Sequence, residues 1–344
     1  LGKGFVLELD EAQRMLDADP NNKDVLFPYL NGEDLNSHPE QKPSRWVINF
    51  WDWPKDRAAE YTLPFEHIEK YVKPVRWEKK SDGDYKQGKD ARENWWLHLR
   101  ARPALYHAIG RGEYFEKHPV GWSPEAGLER VLVNATQASK YANFSFLTGP
   151  IIFSNAIGVI ATGDFYDQVV LSSSIHNAWA FNYGGRLKTD LRYAPTDCFE
   201  NFPFPDLSKI SINVRALHDN RSEVMRSREE GLTKLYNNIH NAHDQRAETV
   251  DLRNLWLEID VDVAAAYGWS DLDLQHDFHK VPYLPASDNV RFTISEQARL
   301  EILNPLVDLN KQRHEEEAAQ GLHEKDTSEN KKTKTSPPHS PSTQ

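Results

Sequence analysis

Cysteine, phosphate-binding glycine loops and long apolar runs are scarce or missing in this sequence. The 344 residues include one cysteine, Cys198, so no disulfide can form within the chain, which favours a reducing, cytoplasmic location. No apolar run approaches the roughly 18–20 residues that a membrane-spanning helix needs, so we expect no membrane contact. Gly2-Lys3-Gly4 has neither the spacing nor the preceding strand of a dinucleotide-binding loop.

Sets of residues that would carry out catalysis are also missing. The chain has no cysteine pairs to hold zinc. His240 and His243, like His276 and His279, could share a helix face and hold a metal, but no third ligand lies near either pair, and we expect no metal site. Carboxylates are numerous, yet no pair has a spacing that marks an acid/base couple. The residues alone therefore identify no catalytic site.

What the chain does contain is apolar and aromatic sequence with an uneven distribution of charge. Hydrophobic residues make up 39% of the chain, aromatic residues 11%, and there are ten tryptophans, which indicates a folded protein with a substantial core. The net charge is -11, yet residues 70–102 hold 10 basic and 5 acidic side chains, a local excess of +5. A positive face on an acidic protein is what contact with duplex DNA requires, although a solvated helix has the same composition.

The first 205 residues predict a mixture of strands and helices. Alternating apolar residues predict strands at 5–10, 44–50, 130–136, 143–147 and 151–162, and helical spacing predicts helices at 11–18, 55–72 and 91–109. Asn31-Gly32 favours a tight reversal and a β-hairpin. Asp164 is expected to cap a helix that continues through Asn182.

The remaining sequence changes character. Residues 183–205 are rich in Gly, Pro and aromatic side chains and form a predicted boundary, followed by amphipathic helical patterns at 212–235, 250–267 and 295–317. Residues 318–344 have almost no apolar side chains and are expected to be disordered. We therefore predict an α+β protein: a mixed domain of strands and helices over 1–205, a smaller all-helical domain over 206–317, and a disordered tail over 318–344.

Six stretches of the chain carry a resemblance to known proteins: LFPYLNGEDLNSHPEQKPSRWVINFWDWP (26–54), EKYVKPVR (69–76), WSPEAGLERVLVNATQASKYANFSFL (122–147), LRYAPTDCFENFPFP (191–205), GLTKLYN (231–237) and AYGWSDLDLQHDFH (266–279). Together they resemble one protein family, the adenine-specific DNA methyltransferases of single-chain restriction-modification and phage-defence systems. The resemblance covers residues 1–317 and is to the carboxy-terminal half of those proteins, their target-recognition domain and the helical region that follows.

This resemblance implies a module that recognises a sequence in double-stranded DNA for a methyltransferase that uses S-adenosylmethionine. The family's Asn-Pro-Pro-aromatic motif is absent, since Asn304-Pro305 is followed by Leu306-Val307. Catalysis and cofactor binding are thus expected in a methyltransferase domain upstream of Leu1, with this chain a fragment of the enzyme. Two alternatives stay open: a non-catalytic protein-interaction scaffold, and the recognition part of a combined restriction nuclease and methyltransferase.

The resemblance also implies which side chains meet DNA. Base edges are read by side chains with paired donors or acceptors, and the candidates for this role lie on the strand and connector at 134–141: Asn134, Gln137, Ser139, Lys140 and Tyr141. Candidate phosphate contacts lie in the glycine-rich stretch: Arg186, Lys188 and Arg192. Two further cations, Lys73 and Arg76, could line the duplex. A polar hairpin loop or a solvated surface would explain the same residue types.

Overall fold

The computed structural model describes residues 4–124, 127–137, 139–187 and 190–322. Short strands are spread over these residues: β1 Val6–Glu8, β2 Leu26–Leu30, β3 Arg45–Ile48, β4 Arg130–Ala135, β5 Ser145–Thr148, β6 Ile152–Phe153, β7 Ile157–Ile160, β8 Gly185–Leu187, β9 Asp190–Arg192, β10 Asp277–Lys280 and β11 Val290–Thr293.

Helices lie between the strands and dominate the last third of the described residues. They are α1 Leu9–Ala18, α2 Gly32–Ser37, α3 Lys55–Ala59, α4 Thr62–Tyr71, α5 Lys73–Arg76, α6 Lys89–Glu93, α7 Pro103–Ala108, α8 Phe165–Ser172, α9 Ser174–Tyr183, α10 Pro195–Cys198, α11 Ala216–Arg228, α12 Leu232–Ile239, α13 Ala247–Ala266 and α14 Glu296–Ala319. The predicted α+β class is confirmed, whereas the prediction that residues 206–317 are all-helical is wrong, because β10 and β11 lie there and pair with each other. None of the helices within the described residues is both long enough and apolar enough to cross a bilayer.

Two small sheets position the surface discussed below. The first has the order β1-β3-β2-β6, and the second, β5-β4-β7, is antiparallel throughout. β6 runs parallel to β2, with Leu30 opposite Phe153. This pairing brings residues 152–155 beside the end of the first sheet, more than a hundred positions away in sequence. Antiparallel ribbons β8-β9 and β10-β11 complete the strand pairing.

Asn31-Gly32 does not form the predicted hairpin. Asn31 has φ -113° and caps α2, because its side-chain oxygen accepts hydrogen bonds from the backbone N–H groups of Glu33 at 2.7 Å and Asp34 at 2.9 Å. The Asp34 carboxylate accepts in return from the backbone N–H of Asn31 at 3.5 Å. Asparagine suits a helix N-cap as well as a turn, and the carboxylate three residues later decides between them.

Two other predicted helices are interrupted in the structure, one by a capping serine and one by a residue in the left-handed conformation. Asp164 caps α8 as expected, accepting from the N–H of Tyr166 at 2.9 Å. The helix does not continue unbroken, because Ser173 ends α8 and its hydroxyl accepts from the N–H of His176 to start α9. Likewise, residues 91–109 form no single kinked helix; Arg102 adopts a left-handed conformation (φ 51°) and α7 begins at Pro103.

The helical region packs directly on the mixed region. The buried guanidinium of Arg221 on α11 donates to the carbonyl oxygen of Phe144 and to the hydroxyl of Ser145. On α13, Asp260 accepts from the backbone N–H of Ser174 at 2.7 Å. One cluster of buried apolar side chains extends from Phe5 to Leu306. The proposed domain boundaries at 205 and 317 stay predictions.

The predicted disordered tail begins inside a helix. α14 includes Ala318 and Ala319, so the first two residues of that prediction are helical. The remainder from 323 to 344 lies outside the described residues.

Gly158→Ala is expected to destabilise the fold, because no space exists for a methyl group. A Cβ at Gly158 would lie 2.3 Å from Oδ1 of Asn134 and 2.8 Å from Cγ2 of Thr136. Overpacking of this kind costs about 1–3 kcal/mol of unfolding free energy, measurable by urea denaturation. Gly88→Ala is the matched control, since no atom lies within 4 Å of its Cβ position; equal stability of both variants would contradict the argument.

Arg253→Ala is expected to lower the free energy of unfolding by about 2–3 kcal/mol, because buried carbonyl groups lose their donor. The Arg253 guanidinium donates to four carbonyl oxygens, at 2.7–3.0 Å, on Asn238, Ile239, Asn241 and Asp244. Urea unfolding of Arg253→Lys should give a free energy of unfolding between those of the unaltered chain and Arg253→Ala, since an ammonium group reaches fewer of these acceptors. Arg226→Ala, at an exposed arginine of α11, serves as control. If Arg253→Ala lost no more unfolding free energy than this control, the hydrogen bonds of Arg253 to the four carbonyl groups would not stabilise the fold.

Candidate nucleic-acid interface

A broad groove lies between the β5-β4-β7 sheet and the β8-β9 ribbon, which we call the outer groove. It has a volume of about 700 Å³ and is lined by Arg102, Leu105, Thr136, Gln137, Asn155, Ile157, Gly158, Val159, Arg186, Arg192, Tyr193, Ala194 and Pro195. Backbone hydrogen bonds between Ser139 and Leu191, at 2.9 and 3.0 Å, join the connector after β4 to β9. They bring Gln137 and Arg192, 55 positions apart in sequence, to one surface.

The outer groove is positively charged. Arg186 donates to the carbonyl oxygens of Tyr283 at 2.7 Å and Phe181 at 2.8 Å, and Arg102 donates to that of Ser154 at 2.8 Å. These acceptors are neutral and leave the charge uncompensated. Arg192 is exposed and has no ion pair or hydrogen bond to its side chain within the described ranges. No carboxylate is among the described residues that line the groove.

A second cavity, which we call the inner pocket, continues from the outer groove through Arg102 and Asn155. It has a volume of about 520 Å³ and is lined by Asn49, Arg76, His98, Leu99, Arg100, Ala101, Arg102, Tyr106, Ile152, Phe153, Ser154 and Asn155. Burial lowers the pKa of His98 to about 3, and its Nε2 donates to the carbonyl oxygen of Ile48 at 2.8 Å. His98 is therefore neutral, and the arginines are the charged groups of the pocket.

The predicted base-reading residues fall into two groups. Gln137 is exposed on the outer groove. The other connector residues make internal contacts: the Ser139 hydroxyl donates to the carbonyl of Tyr141, and the Tyr141 hydroxyl donates to Oδ1 of Asn237 at 2.7 Å. The Lys140 ammonium lies 2.9 Å from the same Oδ1 and 2.7 Å from the Asp288 carboxylate. A role in DNA contact stays a prediction for each of them.

The other predicted contacts are distributed more widely. Asn134 is 2% exposed, in β4 opposite Gly158. Lys73 lies at the start of α5 and forms an ion pair with Glu69 at 2.7 Å. Arg76 is 5% exposed and lines the inner pocket. Lys188 lies outside the described residues.

Three polar residues of these cavities were missed from the sequence: Arg100, Arg102 and Asn155. The local excess of +5 over residues 70–102 was a signal for the two arginines, but it did not separate them from the solvated lysines of that stretch. Nothing near Asn155 indicated its position, which depends on the pairing of β6 with β2.

The histidine pairs have protein partners in the structure. Nδ1 of His240 accepts from the backbone N–H of Phe292 at 3.1 Å, and Nε2 of His276 lies 2.7 Å from the Asp260 carboxylate. Within the described residues, no group of three histidine, cysteine or carboxylate side chains is placed to hold a metal.

Comparisons with known proteins find similarity to a restriction-modification enzyme and to a DNA methyltransferase. Residues 125–206 match the family model described as "MmeI, target recognition domain", a span that contains Gln137, Arg186 and Arg192. The chain is 38% identical over 89 residues to DNA methyltransferase A of Bacillus subtilis (strain 168), covering 25% of this chain and 10% of that protein. The solved structure of the Type IIL restriction-modification enzyme MmeI in complex with DNA matches with a TM-score of 0.56 and 17% identity, over 90% of this chain and 34% of that one.

These matches confirm the predicted resemblance to a target-recognition region. The structural match shows that almost the whole chain shares a fold with part of MmeI, and residues 125–206 are the part similar to the target-recognition domain of MmeI. The chain spans about a third of the MmeI chain and, over the matched residues, a tenth of the curated relative.

Proposed function

We propose that this chain recognises a specific sequence in duplex DNA on behalf of an adenine-specific methyltransferase, and that the outer groove is the surface that meets the duplex. The observation that carries the proposal is the clustering of Arg102, Arg186 and Arg192, without a carboxylate among the described lining residues, on a protein with a net charge of -11. Phosphate contacts of this kind fix a protein on DNA. The family matches and the MmeI–DNA complex support the same assignment.

The methyl donor in this proposal is S-adenosylmethionine, bound by a methyltransferase domain upstream in the complete protein of a restriction-modification or phage-defence system. The outer groove and the inner pocket do not suit that cofactor, since its sulfonium and ammonium groups are cationic and both cavities are lined by arginines. Asn304-Pro305 lies on an exposed part of α14 rather than in a loop that could hold an adenine amine. We therefore derive no methyl-transfer step from these residues.

Within the groove we assign base contact to Gln137 and phosphate contact to Arg192. A side-chain carboxamide can donate to and accept from adenine in the major groove, whereas an arginine without a protein partner is free to bind a phosphate. Lys188 is also assigned to phosphate contact, because it lies in the sequence between β8 and β9.

Salt-dependent binding tests the proposal against the scaffold alternative. Duplexes of random sequence should bind the 344-residue chain with a log affinity that falls linearly with log salt concentration, because phosphate contacts release counterions. Fluorescence anisotropy at several salt concentrations measures this slope. A flat salt dependence, or no binding, would favour a protein-interaction scaffold instead.

In the complete methyltransferase, Gln137→Ala is expected to relax one position of the methylated sequence, because loss of a base contact removes about 1–3 kcal/mol of discrimination. Lys140→Ala should leave the methylated sequence unchanged and lower stability, since its ammonium already binds Asp288 and Asn237. Sequencing of methylated positions and thermal unfolding separate the two effects. A changed sequence in Lys140→Ala alone would reverse the assignment.

The match to a restriction-modification enzyme favours a second candidate, in which the same recognition module also serves a nuclease in one polypeptide. Incubation of the complete protein with DNA and a divalent cation, with and without S-adenosylmethionine, tests this candidate. DNA cleavage near the recognised sequence would support it, and methylation without cleavage would exclude it.

A further inference from the structure

Arg76 is a buried cation with an incomplete set of partners. It is 5% exposed, and its Nη1 is buried without a hydrogen-bond acceptor within the described part of the chain. Nη2 lies 3.5 Å from the carbonyl oxygen of Leu97, a long contact. Burial lowers the pKa of Arg76, which shows that the environment disfavours the positive charge.

Two other buried arginines in this chain, Arg221 and Arg253, are well supplied with acceptors. Arg253 donates to four carbonyl oxygens, and Arg221 donates to Phe144, Ser145 and Tyr236. Arg76 differs from both, since it has one long hydrogen bond and a contact with the Phe5 ring at 5.9 Å, although an unpaired buried charge is costly. The difference indicates that this guanidinium is positioned for an anion rather than for packing.

The surroundings of Arg76 are suited to such an anion. Arg100 and Arg102 also line the inner pocket, and no carboxylate is among its described lining residues. Arg100 is exposed, with no ion pair or hydrogen bond to its side chain in the described ranges, and Arg102 is bound to a neutral carbonyl. His98 is neutral and therefore adds no charge to the pocket. The volume of about 520 Å³ accommodates a phosphate group together with part of the molecule that carries it.

We infer that the inner pocket is a phosphate-binding site, in which Arg76 holds the anion at the base and Arg100 and Arg102 hold it at the mouth. Planar guanidinium groups bind phosphate oxygens through two parallel hydrogen bonds, and three of them together more than neutralise the charge of about -2 on a phosphate group at pH 7. The phosphate could belong to a DNA strand that continues from the outer groove or to a free phosphate or mononucleotide. This site does not depend on the function proposed for the outer groove.

Titration calorimetry with inorganic phosphate, in chloride buffer at constant ionic strength, tests the site in the full chain. We expect saturable binding with one site, a loss of at least tenfold in affinity for Arg100→Ala, and no measurable binding for Arg76→Met. Arg100 is exposed, so its variant keeps the test valid if Arg76→Met does not fold. Arg192→Ala, which changes the outer groove alone, and Arg226→Ala, on α11, should bind phosphate as the unaltered chain does.

Competition with a short duplex identifies the source of the phosphate. If duplex and inorganic phosphate exclude each other, the DNA strand supplies the group; if both bind together, a free phosphate or mononucleotide is the ligand. Phosphate binding that is unchanged in Arg100→Ala, or no binding above the chloride control, would overturn the inference. Failure of DNA binding with phosphate binding intact would instead count against the function proposed for the outer groove.

Discussion

The Arg100→Ala/Arg192→Ala double variant is expected to bind duplex DNA at least about a hundredfold more weakly than the unaltered chain at low salt when the DNA strand supplies the phosphate of the inner pocket. Each hydrogen bond to a charged group contributes about 1.5–3 kcal/mol, and two are removed. Both side chains are exposed and have no described protein partner, so their loss should not disturb the fold. The slope of log affinity against log salt should become shallower by about 2 units, since two phosphate contacts are lost.

Fluorescence anisotropy with one duplex at four salt concentrations measures both quantities. The matched control is Arg14→Ala/Arg226→Ala, which removes two exposed arginines, on α1 and α11, that line neither the outer groove nor the inner pocket. This control has the same net charge as the test variant, so a general electrostatic effect would weaken both equally. Equal weakening in the two variants would show that the groove is not the DNA-binding surface.

Acidification should destabilise the fold steeply below pH 6.5, because three histidines are buried in the neutral form. Burial lowers the pKa of His98 to about 3 and that of His176 to about 4, and it lowers the pKa of His240 well below 6.5. Between pH 6.5 and about 4 the unfolded chain binds the protons of His98 and His176 and the folded chain does not, and His240 acts in the same direction. Stability therefore falls with falling pH, by about 1.4 kcal/mol per pH unit for each fully titrating group and about 4 kcal/mol per unit for three.

Carboxylates change stability in the same direction at lower pH. The Arg246 guanidinium lowers the pKa of Asp244 to about 2, so the stability from this contact is present above pH 4 and is lost as pH falls towards 2. Urea unfolding at pH intervals of 0.5 separates this region from that of the histidines.

A non-titrating variant identifies the histidine contribution. His98→Gln keeps an N–H donor for the carbonyl of Ile48 and should make the pH dependence shallower by about 1.4 kcal/mol per unit. His243→Gln is the control, because His243 is exposed and its substitution should leave the dependence unchanged. An unaltered slope in His98→Gln would mean that His98 titrates alike in the folded and unfolded chain.

Local sequence patterns predicted many of the strands and helices, because these elements depend mainly on residues that are neighbours in the chain. Aromatic and β-branched residues in alternation identified β3, β4 and β5, and a carboxylate before an apolar helix identified Asp164 as a cap. The hairpin at Asn31 failed because one residue type suits both a turn and a helix N-cap, and the choice depended on the Asp34 side chain.

The candidate site was harder to predict because it depends on contacts between distant residues. Gln137 and Arg192 were named as candidates, but their shared surface results from the bridge between Ser139 and Leu191. The inner pocket requires β6 to pair with β2, so Arg100 and Arg102 could not be distinguished from other cations nearby. Lys140 is predicted to read a base, and its contact with the Asp288 carboxylate at 2.7 Å joins residues far apart in the chain, so no local pattern could reveal it.

The four carbonyl groups bound by Arg253 have a consequence for the order of folding. They include the C-terminal end of α12, an eight-residue helix that is too short to be stable alone in water. Their donor belongs to α13, so the end of α12 and the turn after it acquire full hydrogen bonding only when α13 has docked. We therefore expect α12 and α13 to form and open as one cooperative unit, with amide hydrogens in both helices exchanging at a common rate.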